Sequence, residues 1–399
     1  MQTGRVFEMN TDADMLVIGA SPAGVSAALA AAIRDIDVIL IERKSGIGDP
    51  PHPANTFFEG MFDRTSEIVH SEYIIREMSG MQIVSPAGNR ITIETPGYVI
   101  DRRKFDKYHA RELIKENVEI RTGVTAHNII RKKKNIQTST SDRTFTSHIV
   151  VIADGISSQL SALAGLHPTR YPQDIAWAIE AELEADGIGN PDLFEYYIGS
   201  IAPGWKATYS PCGGDRANLG VFVRRHGQDV SRFFDLWLER FKKEKKISDL
   251  RIIRKHTGGD PIATIPNEIV SDGIMVTGGA AGQSGIAYGM RAGEICGTVA
   301  AEAVAASNTS RKALSEYQRL WGKEFRSEYL LGRSALETLR RMGDKDIDRL
   351  VGLFADADVQ QVVGTGSPMS RAFHVMMFML KKKPISALSC LPSLIRAGI

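Results

Sequence analysis

The turn Gly19-Ala20-Ser21-Pro22-Ala23-Gly24 and the acid Glu42 are residues whose types and spacing fit one kind of chemistry, the holding of a dinucleotide. Gly19 permits a sharp exit from a strand, and Gly24 permits the helix that follows to pack close to it. Pro22 and Ala23 stand at the entrance of that helix, whose free N–H groups and positive dipole end suit a pyrophosphate. An acid about 20 residues further on is placed to accept hydrogen bonds from ribose hydroxyls. Because an acid there repels a 2′-phosphate, FAD or NAD is favoured over NADP. Ser21 replaces the middle glycine of the G-x-G-x-x-G pattern, and its small side chain still lets a phosphate approach, with less clearance. A glycine turn serving only to join two core elements would leave Glu42 unexplained.

Positioning these residues takes a strand, a helix and a second strand. The apolar run Met15 to Ile18, the Ala-rich stretch Val25 to Ile33 and the run Val38 to Ile41 supply them. Further on, Thr146 to Ile152 reads as a strand entering Ala153-Asp154-Gly155, and Gly273 to Thr277 as a strand entering Gly278-Gly279-Ala280. A helix from about Gly285 and Ile286 to Ala305 follows. Several strand-to-small-residue turns far apart in sequence suit a long cofactor lying along one sheet edge. Between them, Ala176 to Leu183, Leu193 to Ser200, Trp205 to Ser210 and Ala217 to Val223 read as sheet, with a helix at Val230 to Lys245. Lys312 to Arg340 and Asp344 to Phe354 read as helices.

Composition narrows the class. A formal net charge of +2 with short, scattered Lys/Arg runs gives no global pull toward nucleic acid. Cys212, Cys296 and Cys390 have no metal-type spacing, so no metal site is expected, and so sparse a count fits a reducing, cytoplasmic setting. The polar, acidic first residues do not read as a signal peptide, and no apolar run approaches the ~20 residues that span a bilayer. The run Phe373 to Leu380, beside Lys381 to Lys383, either lies on an anionic membrane surface or packs on the core.

With these motifs in view, the chain resembles the geranylgeranyl reductase family of flavoproteins, especially the archaeal digeranylgeranylglycerophospholipid reductases of the p-hydroxybenzoate hydroxylase-like superfamily. The likeness runs through the opening βαβ unit, Ile41-Glu42-Arg43-Lys44 with Gly46-Ile47-Gly48, and Gly97-Tyr98-Val99-Ile100-Asp101-Arg102-Arg103-Lys104-Phe105-Asp106. It continues through Ala153-Asp154-Gly155, Tyr197-Ile198-Gly199-Ser200-Ile201-Ala202-Pro203-Gly204 and Asn218-Leu219-Gly220-Val221. The resemblance implies an α/β fold: a Rossmann-like FAD-binding domain (1–155 and 271–310), an antiparallel-sheet substrate domain of α+β type (156–270) and a C-terminal helical region (311–399). It also implies FAD as cofactor, with Arg102 facing its phosphate and ribityl region and Val124 meeting the adenine. An isoprenoid or other lipid is the implied substrate, and a reduced nicotinamide or ferredoxin the electron donor. Tyr196, Tyr197, Trp205 and Tyr209 are candidates to line the lipid cavity, the alternative being an ordinary aromatic core.

Three departures from the family pattern stand out. Pro53 occupies the place of a family cysteine held to lie near the flavin ring. Gly279 replaces an aspartate that accepts from a ribityl hydroxyl, and the loop before Gly285 is shorter. Without the thiol, His52 becomes a candidate proton donor and Asn55 a candidate partner of the flavin's polar edge; the plainer role for His52 is a structural one in a proline-rich turn. The function expected is FAD-dependent reduction of lipid double bonds. A flavin monooxygenase or dehydrogenase on another substrate, or a paralogue that binds without turnover, are the competing expectations.

Overall fold

The computed structural model of the protein describes residues 11–354, apart from 59–60, 67, 134, 225–228 and 284. The run at 373–383 therefore lies outside the described residues. Within them, two eight-stranded sheets carry the fold.

The first sheet is built on apolar runs that are buried on both faces, as parallel strands between helices are. It contains β1 (Ala13–Ile18), β2 (Val38–Glu42), β6 (Glu119–Thr122), β9 (Thr144–Ile152), β15 (Val270–Ser271) and β16 (Ile274–Val276) in the order β15-β16-β9-β1-β2-β6. β1 pairs in parallel with both β2 and β9, and β16 with β9. The antiparallel strands β7 (Ala126–Arg131) and β8 (Ile136–Thr140) extend it beside β9. Against this sheet lie α1 (Pro22–Ala32) and α5 (Ile286–Ala305). Further helices are α2 (Arg102–Lys115), the short α3 (Leu160–Leu163), α6 (Arg311–Arg341) and α7 (Asp344–Phe354).

The second sheet runs β14 (Arg251–Asp260), β10 (Ala176–Glu184), β13 (Arg216–Val223), β12 (Lys206–Pro211), β11 (Leu193–Tyr197), β4 (Ile74–Val84), β5 (Arg90–Ile100) and β3 (Thr56–Phe58). Every pair in it is antiparallel except β11 with β4. Strand alternation divides its residues. Ala181, Leu183, Tyr197, Tyr209, Leu219 and Val221 pack under α4 (Val230–Lys245), which buries Phe234, Trp237 and Phe241. Ala176, Ala178, Glu180 and Phe222 take the opposite face.

Two differences from the sequence expectations have physical causes. The second sheet recruits β3, β4 and β5 from 56–100, ahead of the 156 boundary. The period-2 pattern of β4 is broken by register shifts between Ile74 and Arg76 and between Met78 and Gly80, which hid it. The strand expected to run to Ser200 stops at Tyr197, because Gly199 turns the chain at φ +108° and Ser200 binds Asp344 at the start of α7. No helix among the described residues is long and apolar enough to cross a membrane.

α1 and α5 approach backbone to backbone. A Cβ on Gly293 would collide with the Ala23 carbonyl oxygen, and one on Gly297 with that of Ala27. Gly322 in α6 has nothing within 4 Å of such a Cβ. Chemical denaturation should therefore show Gly297→Ala destabilised by about 1–3 kcal/mol through overpacking. Gly322→Ala should instead gain roughly 0.5–1 kcal/mol from helix propensity. Equal effects at the two glycines would contradict the close helix contact.

Candidate functional site

At the carboxyl end of the first sheet, β1, β2, β9 and β16 release their chains toward one edge. The exit from β1 is tight: Gly19 adopts φ +106°, and a Cβ there would meet the Ala153 carbonyl oxygen at 2.5 Å. A Cβ on Gly24 would strike Gly19's carbonyl oxygen, so helix and turn touch as their glycines require. Ser21 does more than leave clearance. Its Oγ accepts from the Gly24 N–H at 3.2 Å as the N-cap of α1, and donates to the Ala153 carbonyl at 3.3 Å. Pro22 is the first helical residue, where its missing N–H costs nothing. Glu42, at the end of β2, holds the turn from the other side: Oε2 accepts from Ala20 N–H at 2.8 Å and Oε1 from Lys44 N–H at 2.9 Å.

The remaining edge is lined from β9 and β16. Asp154 leaves one buried carboxylate oxygen without a partner, and burial raises its pKa, with Ser158 and the exposed Arg43 opposing. Gly155, at φ +89°, faces open space. Gly278, Gly279 and Ala280 form a 3-10 turn (Gly278–Ala281) braced by the buried Gln283, which accepts from Gly278 N–H at 2.6 Å and donates to Tyr317 at 2.8 Å. Gly285 begins α5 without a side-chain cap and with open space around it, and Ile286 is buried beside Phe57 and Phe105. Two uncapped or phosphate-suited helix starts, an orphaned carboxylate oxygen and two open glycines on one edge fit a dinucleotide. Val124 lies at the β2 side, its N–H donated to the Glu42 carbonyl at 2.9 Å. A Cβ at Gly279 would sit 3.2 Å from Ile156, so the carboxylate absent there could return only with a small shift of its neighbours.

The loop before β3 joins this edge to the second sheet. Arg102, 9% exposed, pairs through Nε with Asp106 at 3.1 Å and donates through Nη1 to the Ala54 carbonyl at 3.3 Å. His52 and Pro53 lie against Gly258 of β14. His52 Nδ1 is 2.6 Å from the Pro53 carbonyl, which makes Nδ1 the donor nitrogen. His52 as a residue is exposed, yet the protein around its ring, and then the Arg102 guanidinium, lower its pKa below the ordinary 6.5. Both facts work against His52 as a proton donor at neutral pH. Asn55 is 7% exposed and its Nδ2 has no partner, while Thr56 Oγ1 lies 3.2 Å from Ser210 Oγ of β12.

The candidate cavity residues divide. Tyr197 and Tyr209 point under α4, where Tyr197 bonds Glu195 and Tyr209 donates to the Ile188 carbonyl. Being odd-numbered on strands whose even-numbered residues face the loop, they line the α4 core and not a cavity beside loop 52–56. Trp205 does lie on the loop side, next to Phe222. Two residues there escaped sequence reasoning. Lys206 Nζ sits 4.3 Å from the Tyr196 ring centre and 5.1 Å from that of Phe222, and donates to Tyr196 at 3.0 Å. Glu180 is buried on the same face; its signal was an acid in the alternating run Ala176, Ala178, Glu180. No group of His, Cys, Asp and Glu suited to a metal occurs among the described residues.

A model of the pyridine nucleotide-disulphide oxidoreductase family matches residues 13–179. Digeranylgeranylglycerophospholipid reductase 1 of Methanothermobacter thermautotrophicus is 31% identical over 374 residues, 90% of this chain and 94% of that protein. The enzyme of that name from Methanocaldococcus jannaschii is 28% identical over 358 residues, 86% of this chain and 90% of its own. A geranylgeranyl bacteriochlorophyll reductase-like protein from Thermoplasma acidophilum shares the fold with a TM-score of 0.82 at 24% identity, over 96% of this chain and 99% of that one. Halogenase PltM, solved in complex with FAD, shares it more distantly, with a TM-score of 0.67 at 12% identity over 95% and 85%.

Because Glu42 holds the glycine turn at the edge suited to a dinucleotide, its loss should have two effects. Glu42→Ala should weaken dinucleotide binding and also lower stability by about 1–3 kcal/mol, since the Ala20 and Lys44 N–H groups lose their acceptor. Calorimetric titration and denaturation of the same variant check both. Undiminished binding in the variant would contradict the assignment of this edge.

Proposed function

The chain belongs to the digeranylgeranylglycerophospholipid reductase family, FAD-dependent oxidoreductases, and on that premise we propose that it reduces double bonds of an isoprenoid lipid. The observation that carries the reading is a junction. A dinucleotide cradle and an aromatic sheet face meet across the loop 52–56, so a cofactor in the cradle would direct its reactive end toward that face.

When bound and reduced, FAD would supply the hydride for one alkene carbon, and the protein's share would be to place the lipid, keep water away and give the other carbon a proton. Gly19, Ser21, Ala23, Gly24 and Glu42 would hold the adenosine and pyrophosphate half. Arg102, Asp154, Gly155, Gly278 to Ala280 and Gly285 would hold the phosphate, ribityl chain and ring. Trp205, Tyr196 and Phe222, with Met81 and Phe194 further along the sheet, offer apolar side chains suited to a branched hydrocarbon. Asn55 Nδ2, a buried donor without a partner, suits a carbonyl of the flavin ring. In this reading electrons come from a reduced nicotinamide or ferredoxin, and the run at 373–383 would let the protein meet lipid at a membrane surface. Pro53, where the family carries cysteine, is the feature that favours a flavin monooxygenase or dehydrogenase instead.

The test is direct. Protein loaded with FAD, supplied with dithionite and a phospholipid bearing unsaturated geranylgeranyl chains, should yield products heavier by a pair of hydrogens per double bond in mass spectrometry. FAD-loaded protein that leaves the lipid unchanged under these conditions, or that oxygenates it in air, would overturn the reductase reading.

A further inference from the structure

The loop-facing side of the second sheet withholds one acid from water. Glu180 lies in the middle of β10 and is 6% exposed. In register it stands between His256 of β14 and Gly220 of β13, and Gly220 in turn faces Thr208 of β12. Gly220 leaves the carboxyl room: a Cβ there would meet Thr208 Oγ1 at 2.5 Å and lie 3.6 Å from Glu180 Oε2. The same row ends on Tyr196, opposite Thr208, so the acid shares its row with the aromatic residue. Over it runs the loop. The Ala54 backbone hydrogen-bonds the Glu180 carboxyl, while the Ala54 carbonyl accepts from Arg102.

We infer that Glu180 delivers the proton that completes alkene reduction, an assignment that rests on the reductase reading. Hydride brings its own electron pair to one alkene carbon. The π pair forms the second C–H bond with the Glu180 proton as the O–H bond breaks. The carboxylate left behind is held by the Ala54 backbone, Lys206 and His256, and recovers its proton from solvent before the next turnover. The other acidic groups nearby are poorer donors. His52 gives its N–H to Pro53, and Cys212, its thiol bonded to the Ser210 carbonyl, is pushed up to about 12 by burial and then by Glu180.

The charge balance suits the role. Burial raises the Glu180 pKa to about 7, with Glu182 adding to it and His256, Lys206 and the Ala54 backbone opposing. His256 also bonds Glu182 at 2.9 Å, and Lys206 is held by its aromatic ring cluster. Cys212, just after β12, also feels the acid, and from α2 Arg102 reaches it only through the Ala54 carbonyl. A donor with such a pKa is protonated below neutrality and loses its proton as pH rises through about 7. His52, held below 6.5, would lose it at lower pH.

Three readouts test this. Infrared spectra of the FAD-free protein should show a protonated buried carboxylic acid that titrates near pH 7 and is missing in Glu180→Gln. With FAD bound, Glu180→Gln should slow alkene reduction about 100-fold or more, while FAD affinity and reduction by dithionite stay unchanged. The fall in wild-type rate as pH rises through neutrality should vanish in Glu180→Gln and return in Glu180→Asp. A wild-type spectrum without the titrating acid overturns the inference even if the variants fail to fold. So does a Glu180→Gln protein that reduces lipid at the wild-type rate with its pH dependence intact. Wild-type protein that reduces no isoprenoid lipid removes the reading of function, and the inference with it.

Discussion

Close approach of backbone to backbone at four glycines sets the geometry on which the rest of this protein depends. Gly24 lies on the carbonyl of Gly19, Gly19 lies on Ala153, and Gly293 and Gly297 lie on Ala23 and Ala27. These contacts draw α1 and α5 together over the sheet, so that both helix starts and the ends of β1, β9 and β16 share one edge. Side chains of ordinary size at those positions would separate the elements, and the polar groups along the edge could no longer converge on one extended ligand. Ser21 and Glu42 then fix the turn itself through hydrogen bonds to the Gly24, Ala20 and Lys44 amides.

The second sheet meets that edge through the apolar cluster of Phe57, Phe105 and Ile286 and through close approaches at glycines of β14. Ile156, directly after Asp154-Gly155, lies against Gly259 of β14, and Pro53 and His52 lie against Gly258. Ala54 is the hinge of the arrangement, binding Arg102 on one side and Glu180 on the other. Ala54 itself adopts φ +90°, strained for a residue with a Cβ, which fits a loop shaped by these partners and not by its own preference. A loop with proline where a thiol would stand therefore need not leave the site without an acid, because the sheet brings one to its underside.

Much of the first unit was legible in the sequence, since its signals are local. A strand, a glycine turn, a helix and an acid within 30 residues identify themselves, and the observed β1, α1 and β2 follow the expected spans within a few residues. The second sheet was harder to read. Alternation along β10, β11 and β12 tells which residues share a face but not which face meets the helix and which the loop; hence cavity and core both stayed open for Tyr197 and Tyr209, which fill the core under α4. Glu180 was passed over because an acid in an amphipathic strand ordinarily faces water. Its burial follows from Gly220, forty residues away in sequence, whose missing side chain becomes meaningful only once the strands are paired.

The central claim is that one ligand, FAD, spans the first sheet's edge and reaches the loop beneath which Glu180 lies. Amide hydrogen exchange with and without FAD tests it most directly. The account requires slower exchange on binding in the segments 19–25, 42–44, 153–156 and 285–289, together with 52–56, and no change in the far part of the β4–β5 pair, 82–92. FAD that leaves those amides as they were, or that protects a different part of the surface, would contradict it.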